Sequence, residues 1–348
     1  MSEKMNVVAI VDERKAEMRE VTRPKPLKGQ VLIKIDGCAL CTFEQRMFTR
    51  VVPVPLPFVG GHEFTGTIVE LGEGVKEDKF PLGQRVAARM LHSCGHCYGC
   101  RHDEPNICTD SSHVDMSQMD IMGMGGLAEY INADISQVYF MPNDMPVEKA
   151  CFAEPLACVL NSIEKGQIEI GDDVVVIGGG IMGQLHVMCA KLRGARVIMS
   201  EPDEARREIA AKLGADVCIN PLEGDPIEMI KELTGGNGAA VVFNTTAVSA
   251  VAQQAIGMVA KLGRVVMYSS QHPDKPIEVS PNWLHNSEAV ITGAVSPSVR
   301  SFRQSVDALS KGLIDPELLV SGSWDKTEAQ KAFEAAIDPA TFRCIIRF

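Results

Sequence analysis

Val174-Val175-Val176-Ile177-Gly178-Gly179-Gly180-Ile181-Met182-Gly183 is a run of branched apolar residues followed at once by a G-x-G-x-x-G turn. The apolar run predicts a strand, and the residues after the turn predict a helix over 182–192. In that setting each glycine has a physical task. Gly178 permits a tight turn, Gly180 lets the backbone approach a pyrophosphate, and Gly183 lets the helix pack close to the strand. The helix N-terminus then offers N–H donors and the positive end of its dipole to phosphates. Ile181 and Met182 complete the candidate phosphate-facing turn. Glu201 follows a second predicted strand, 196–200. A carboxylate there accepts from a ribose 2′-hydroxyl and repels a 2′-phosphate, which favours NAD over NADP. Arg206 and Arg207 lie close by and could blur that preference. Arg206 stays among the candidate cofactor contacts, although both also read as surface helix residues.

Outward from this turn, strands and helices alternate. A helix begins at Pro155 and stops at Gly166, the expected placement of the two residues. A helix over 203–213 closes at Gly214. Further strands are expected at 216–219, 240–244 and 264–268. Such alternation predicts a doubly wound α/β parallel sheet with crossover helices, a Rossmann domain. Before residue 150 the chain changes character. Strands at 31–35 and 65–71 are separated by Pro53, Pro55, Pro57, Gly60 and Gly61, and no helical period dominates, so a β-rich domain is expected. From about residue 290 the tail carries one clear helix, with Phe302, Val306 and Leu309 on one face and Gly312 as its stop.

Composition narrows the function classes. Of 348 residues 45% are hydrophobic and 23% charged, which suits a globular chain of about two domains. The net charge of −11 and the lack of any Lys/Arg block argue against nucleic acid as a partner. The most apolar stretch, 174–190, is broken by glycines, Gln184 and His186, so no membrane span is expected. The N-terminus MSEKMNVV lacks a signal-peptide pattern, and a cytoplasmic location is expected.

Eleven cysteines, an odd count with short C-x-x-C spacings, favour metal over disulfides. Cys94, Cys97, Cys100 and Cys108 follow C-x2-C-x2-C-x7-C. Four thiolates this close can surround one tetrahedral zinc and leave no position open, which makes a structural site. An iron–sulfur cluster is the rival. The bacterial ferredoxin run places its fourth cysteine after three residues with a proline next, whereas here seven residues intervene and Thr109 follows.

These motifs, with Gly61-His62-Glu63 and Gly66, Gly126-Leu127-Ala128-Glu129-Tyr130 and Glu154-Pro155-Leu156, make the chain resemble the zinc-containing medium-chain dehydrogenase/reductase family along essentially its whole length. The sorbitol and threonine dehydrogenase branch is nearest. The resemblance implies a GroES-like catalytic domain from residues 1–152 and 290–348, an inserted Rossmann domain over 153–289, and an active site in the cleft between them. It implies two zinc ions per chain, NAD as cofactor, a small alcohol as substrate and a homo-oligomer, tetramer or dimer. The catalytic zinc ligands map onto Cys41, His62 and a carboxylate, with Glu63 and Glu154 both candidates. A thiolate, an imidazole and a carboxylate leave a fourth position open, as a catalytic zinc requires. Glu154 also reads as a capping carboxylate at a helix start. The implied chemistry is hydride transfer from a secondary alcohol to nicotinamide, with zinc lowering the hydroxyl pKa.

One stretch departs from the family. The Ser or Thr that often starts a proton relay is replaced by Phe43, the following Asp by Glu44, and a nearby His by Arg46. Thr42, Glu44 or a water held by Glu63 are the alternatives for the relay. Phe43 could instead shape a pocket, and Arg46 could meet an anionic substrate group. Three functions follow: a polyol or sugar-alcohol dehydrogenase, favoured by Glu154-Pro155-Leu156; a dehydrogenase for an amino or acidic alcohol such as threonine; and, on the strength of Phe43 alone, a catalytically idle NAD-binding protein.

Overall fold

The computed structural model describes residues 3–110, 119–271 and 273–348. Two compact units emerge, Met1–Ala157 with Pro297–Phe348, and Cys158–Ser296. The chain opens with an antiparallel hairpin of β1 (Lys4–Asp12) and β2 (Lys15–Thr22). Then come β3 (Gln30–Ala39), α1 (Thr42–Phe48), β4 (Glu63–Leu71), β5 (Arg85–Ala88), α2 (Tyr98–Arg101), β6 (Tyr130–Asp134), β7 (Val138–Phe140), α3 (Val147–Ala150) and α4 (Ala153–Gly166). The short α1 interrupts what the sequence predicts as strand and turn. Seven residues are too few to show a helical period, and α1 is fixed by its cap instead. Cys41 is the N-cap, and its backbone N–H donates to Glu44 Oε2 at 3.1 Å, half of a capping box.

The second unit is built as its alternation predicts. Its elements are β8 (Asp173–Ile177), α5 (Ile181–Leu192), β9 (Arg196–Ser200), α6 (Glu204–Lys212), β10 (Val217–Ile219), α7 (Pro226–Leu233), β11 (Ala239–Asn244), α8 (Ser249–Met258), β12 (Val259–Met267), α9 (Pro281–Ser287) and β13 (Val290–Gly293). The six strands are all parallel, in the order β10-β9-β8-β11-β12-β13. Counted within the unit this is 3-2-1-4-5-6, the Rossmann order, with its switch point between β8 and β11. At its end β13 extends the sheet by pairing Val290 with Arg264, and the second unit runs on to Ser296. With only Val290 and Ile291 apolar, β13 is too short to show any period.

After β13 the chain returns to the first unit with α10 (Val299–Ser310), β14 (Val320–Asp325), α11 (Ala329–Ala336) and β15 (Arg343–Arg347). A seven-stranded sheet results, ordered β14-β15-β3-β4-β5-β7, with β6 also paired to β3. Its core gathers Ile33, Ile35, Phe48, Phe64, Leu127 and Phe333. The register matters for function. Ala39 on β3 faces Glu63 on β4 and also Ile345 on β15. The end of β3 and the starts of β4 and β15 therefore converge at one end of the sheet.

Candidate functional site

At that end stand Cys41, just past β3, and His62 and Glu63, at the start of β4. One donor atom from each lies within 4.8 Å of the others. Glu44 organises the group from beneath. It is fully buried and accepts from the backbone N–H of Cys41 at 3.1 Å and of Gly61 at 3.0 Å. Its Oε1 stands 3.3 Å from His62 Nδ1, a charge contact without good hydrogen-bond alignment. The glycines of this stretch make room for it. A Cβ on Gly60 would meet Glu44 Cγ at 2.8 Å. Gly61 has φ +93°, and a Cβ there would reach Leu127 N at 2.5 Å.

The carboxylate of Glu63 is held by Arg343 at the start of β15. Arg343 Nη2 donates to Glu63 Oε1 at 2.5 Å and Nη1 to the Leu40 carbonyl at 3.3 Å, both side chains being buried. Breaking such a pair from one side costs about 3–5 kcal/mol, because the remaining charge stays buried. Glu63 Oε2 is buried with no hydrogen-bond partner. That orphaned oxygen, beside a thiol and an imidazole, fits a metal-ligand set. Burial pushes the Glu63 carboxyl up to about 7; Arg343 opposes the rise and Glu154 adds to it. Burial and Glu63 raise Cys41. For His62 burial acts downward, but Glu44 and Cys41 lift it well above its ordinary value. A cation at this point would relieve all three groups. Glu154 sits in the first turn of α4, outside this donor cluster, though its charge acts on both Glu63 and Arg343. Sequence reasoning missed Arg343, because its only signal is an unremarkable basic residue in the tail.

The four cysteines also assemble. Four of the six sulfur pairs stand 3.5 to 4.0 Å apart, and all four sulfurs lie within 4.8 Å of one another. A tetrahedron with Zn–S bonds of about 2.3 Å has edges of about 3.8 Å, so the set fits zinc. Backbone N–H groups point at the sulfurs: Cys97 to Cys94 at 3.3 Å, and Cys94 and Asp110 to Cys108 at 3.4 Å. Backbone N–H of Cys100 and Thr109 lower the Cys97 thiol to about 5, while burial and Cys97 raise Cys100 to about 11.

In the second unit Gly178 has φ +98°, and a Cβ on Gly183 would lie 1.8 Å from the Gly178 carbonyl oxygen. Both positions therefore require glycine. A Cβ on Gly180 would meet only Arg206 Nη1, at 3.7 Å, which leaves open space at the helix start. Gly180 is the N-cap of α5, and Ile181 and Met182 form its first turn. Glu201 is buried and braces the turn, accepting from Gly179 N at 2.5 Å and Asp203 N at 2.9 Å. It is thus not a solvated loop carboxylate. Arg207 is tied to the carbonyls of Glu201 and Pro202.

Residues 27–143 match the family profile of the alcohol dehydrogenase GroES-like domain, and residues 182–311 that of zinc-binding dehydrogenase. The chain is 34% identical to L-threonine 3-dehydrogenase of Pyrococcus abyssi over 279 residues, 76% of each chain. It is 31% identical to sorbitol dehydrogenase of Halalkalibacterium halodurans over 321 residues, 91% of each. Among solved structures, a zinc-binding dehydrogenase from Sinorhizobium meliloti bound to NADP matches with a TM-score of 0.90 at 25% identity, covering 99% of this chain and 100% of that one.

Proposed function

The chain belongs to the zinc-containing medium-chain dehydrogenase/reductase family, in its sorbitol- and threonine-dehydrogenase-like branch, and from that premise we propose that it oxidises a secondary alcohol of a polyol or sugar alcohol to a ketone with NAD. Membership makes it an NAD(P)-dependent oxidoreductase. The observation that carries the reading is the cluster of Cys41, His62 and Glu63 around the orphaned Glu63 Oε2. In this proposal those three side chains hold one zinc, with Glu63 rather than Glu154 as the carboxylate. Cys94, Cys97, Cys100 and Cys108 hold a second, structural zinc.

When bound, zinc supplies Lewis acidity that lowers the pKa of an alcohol hydroxyl, and nicotinamide accepts the hydride. The protein's own work is positional. Glu44 orients the His62 ring and balances its charge. Arg343 fixes the Glu63 rotamer and holds one of its oxygens. With both oxygens of Glu44 already accepting backbone N–H groups, the proposal gives it no proton to carry. Gly178, Gly180, Ile181, Met182 and Gly183 receive the pyrophosphate. Glu201 supports NAD over NADP, with Arg206 beside the same turn. Assembly as a dimer or tetramer and a cytoplasmic setting complete the proposal and rest on the family branch. Among the described residues no helix is long and apolar enough to cross a membrane.

A hydroxy-amino acid substrate is the second reading, favoured by the likeness to threonine dehydrogenase. The test is NADH absorbance with NAD and a panel of polyols, sugar alcohols and hydroxy-amino acids, with and without a zinc chelator, and with NADP in parallel. Chelator-sensitive NADH formation from polyols is expected. Turnover of hydroxy-amino acids alone selects the second reading, and faster turnover with NADP removes the role given to Glu201.

A further inference from the structure

We propose that Gln184, on the buried face of α5, is a positioning residue for the cofactor: its amide sets the peptide between Gly179 and Gly180 so that the Gly180 N–H faces the dinucleotide pyrophosphate. This rests on the cofactor reading above and names the side chain that turns the glycine-rich loop into a fixed phosphate seat.

The stretch 174–190 is apolar apart from its glycines, Gln184 and His186, and both of these polar side chains are fully buried. Gln184 Nε2 donates to the Gly179 carbonyl at 3.0 Å and to the Arg206 carbonyl at 2.9 Å. Both partners are carbonyl oxygens, so the amide nitrogen, not its oxygen, has to face them. Gln184 Oε1 is left buried with no hydrogen-bond partner. An apolar side chain would avoid that cost. What it would lose is the two donated bonds, and both end on the cofactor turn and its neighbour.

Gly179 is held at both of its polar groups. Its N–H donates to Glu201 Oε2 at 2.5 Å, and its carbonyl accepts from Gln184. The peptide that joins it to Gly180 is trans, so its C=O and N–H point in opposite directions. With the carbonyl turned in toward Gln184, the Gly180 N–H is turned out, and it donates to nothing among the described residues. On that side a Cβ on Gly180 would meet only Arg206 Nη1. The second Gln184 bond holds the first turn of α6, which carries that guanidinium. His186 seats the same helix from the other end of its first turn. Its Nδ1 donates to the Met182 carbonyl at 2.7 Å, and its Nε2 accepts from the Ser162 hydroxyl on α4 at 2.9 Å. Burial lowers His186 to about 4, so the ring is neutral and can play both parts. The start of α5 is thus anchored through His186, and the turn before it is aimed by Gln184.

The test takes the zinc-loaded enzyme and Gln184→Met, which keeps the length of the side chain and cannot donate. NADH and ADP-ribose, which carry the pyrophosphate, are titrated by calorimetry. Adenosine, which lacks it, is measured as a competitive inhibitor against NAD. In the variant NADH and ADP-ribose are expected to bind roughly tenfold more weakly, while the inhibition constant of adenosine stays unchanged. KM for NAD rises, kcat at saturating NAD does not fall, and the melting temperature of the cofactor-free protein stays where it was. A merely structural role would lower the melting temperature and weaken all three ligands alike. Gln184→Leu, a strong helix former at the same buried position, repeats the test if the methionine variant does not fold. Equal weakening of adenosine and ADP-ribose, or wild-type affinity for both, overturns this proposal alone, and so does loss of folding in both variants. Failure of the wild type to bind NADH or ADP-ribose overturns the cofactor reading with it.

Discussion

The two candidate metal sites solve the same problem in opposite ways. The four-cysteine lobe draws all its donors from one stretch of chain, from Cys94 to Cys108, and leaves them partly exposed. Its thiols are tuned by the backbone N–H groups of that same stretch. The Cys41–His62–Glu63 cluster draws its donors from separate elements, with Cys41 and His62 partly exposed like the lobe's thiols and the carboxylate of Glu63 buried. It then needs Glu44 from α1 and Arg343 from β15 to hold them. A local site can be built from spacing alone. A site that keeps a coordination position for substrate has to be supported by residues far away in sequence, because its own donors do not enclose the metal.

The sharpest way to break this contrast is to remove one donor from each site. Cys41→Ala is expected to lower kcat/KM by roughly a thousandfold or more, the loss of several kcal/mol of charge stabilisation. It should leave the lobe's metal in place by elemental analysis. Cys108→Ala is expected to do the reverse, lowering thermal stability while the surviving folded enzyme still turns over. Equal loss of activity from both variants would remove the distinction between the sites.

A smaller effect probes the supporting layer. Glu44→Gln keeps the size of the side chain but removes the charge facing His62. Metal affinity of the Cys41–His62–Glu63 cluster should fall about ten- to hundredfold, read by competition with a chromophoric chelator. The lobe should be untouched. If Glu44→Gln binds metal as the wild type does, that cluster is as self-sufficient as the lobe.

The smallest effect is in thiol chemistry of the metal-free protein. The thiolate is the reactive form. Cys97 is lowered to about 5, so it is ionised at every pH above that. Burial, with Glu63, pushes the Cys41 thiol up, so less of it is ionised than of an ordinary thiol. At neutral pH a water-soluble alkylating agent should label Cys97 at least about tenfold faster than Cys41, the margin allowing for the weaker nucleophilicity of a low-pKa thiol. Peptide mapping reads the order, and equal rates would contradict it.

The same contrast explains what could be read from sequence. The lobe and the glycine-rich turn are legible because their chemistry is contiguous. Spacing names Cys94 to Cys108, and the strand before Gly178 with the helix that follows Gly180 fixes the dinucleotide turn. The Rossmann strands of the second unit follow for the same reason. The Cys41–His62–Glu63 cluster is legible only through family resemblance, since Cys41 and His62 carry no ligand spacing of their own. Arg343 and the supporting role of Glu44 were not legible, because they depend on the register that sets β15 and β4 on either side of β3. β13 escaped for a simpler reason, being four residues long at the sheet edge.

The pairing of Arg343 with Glu63 also has a consequence in time. The two residues are 280 positions apart. On a ribosome moving at about 5–20 residues per second, tens of seconds pass between the appearance of the carboxylate and that of its guanidinium. Throughout that interval the second unit can complete its sheet, while the first cannot seal β3 against β4 without stranding a charge. Nascent chains halted before Arg343 should therefore hold one finished unit and one that stays open to proteases and chaperones.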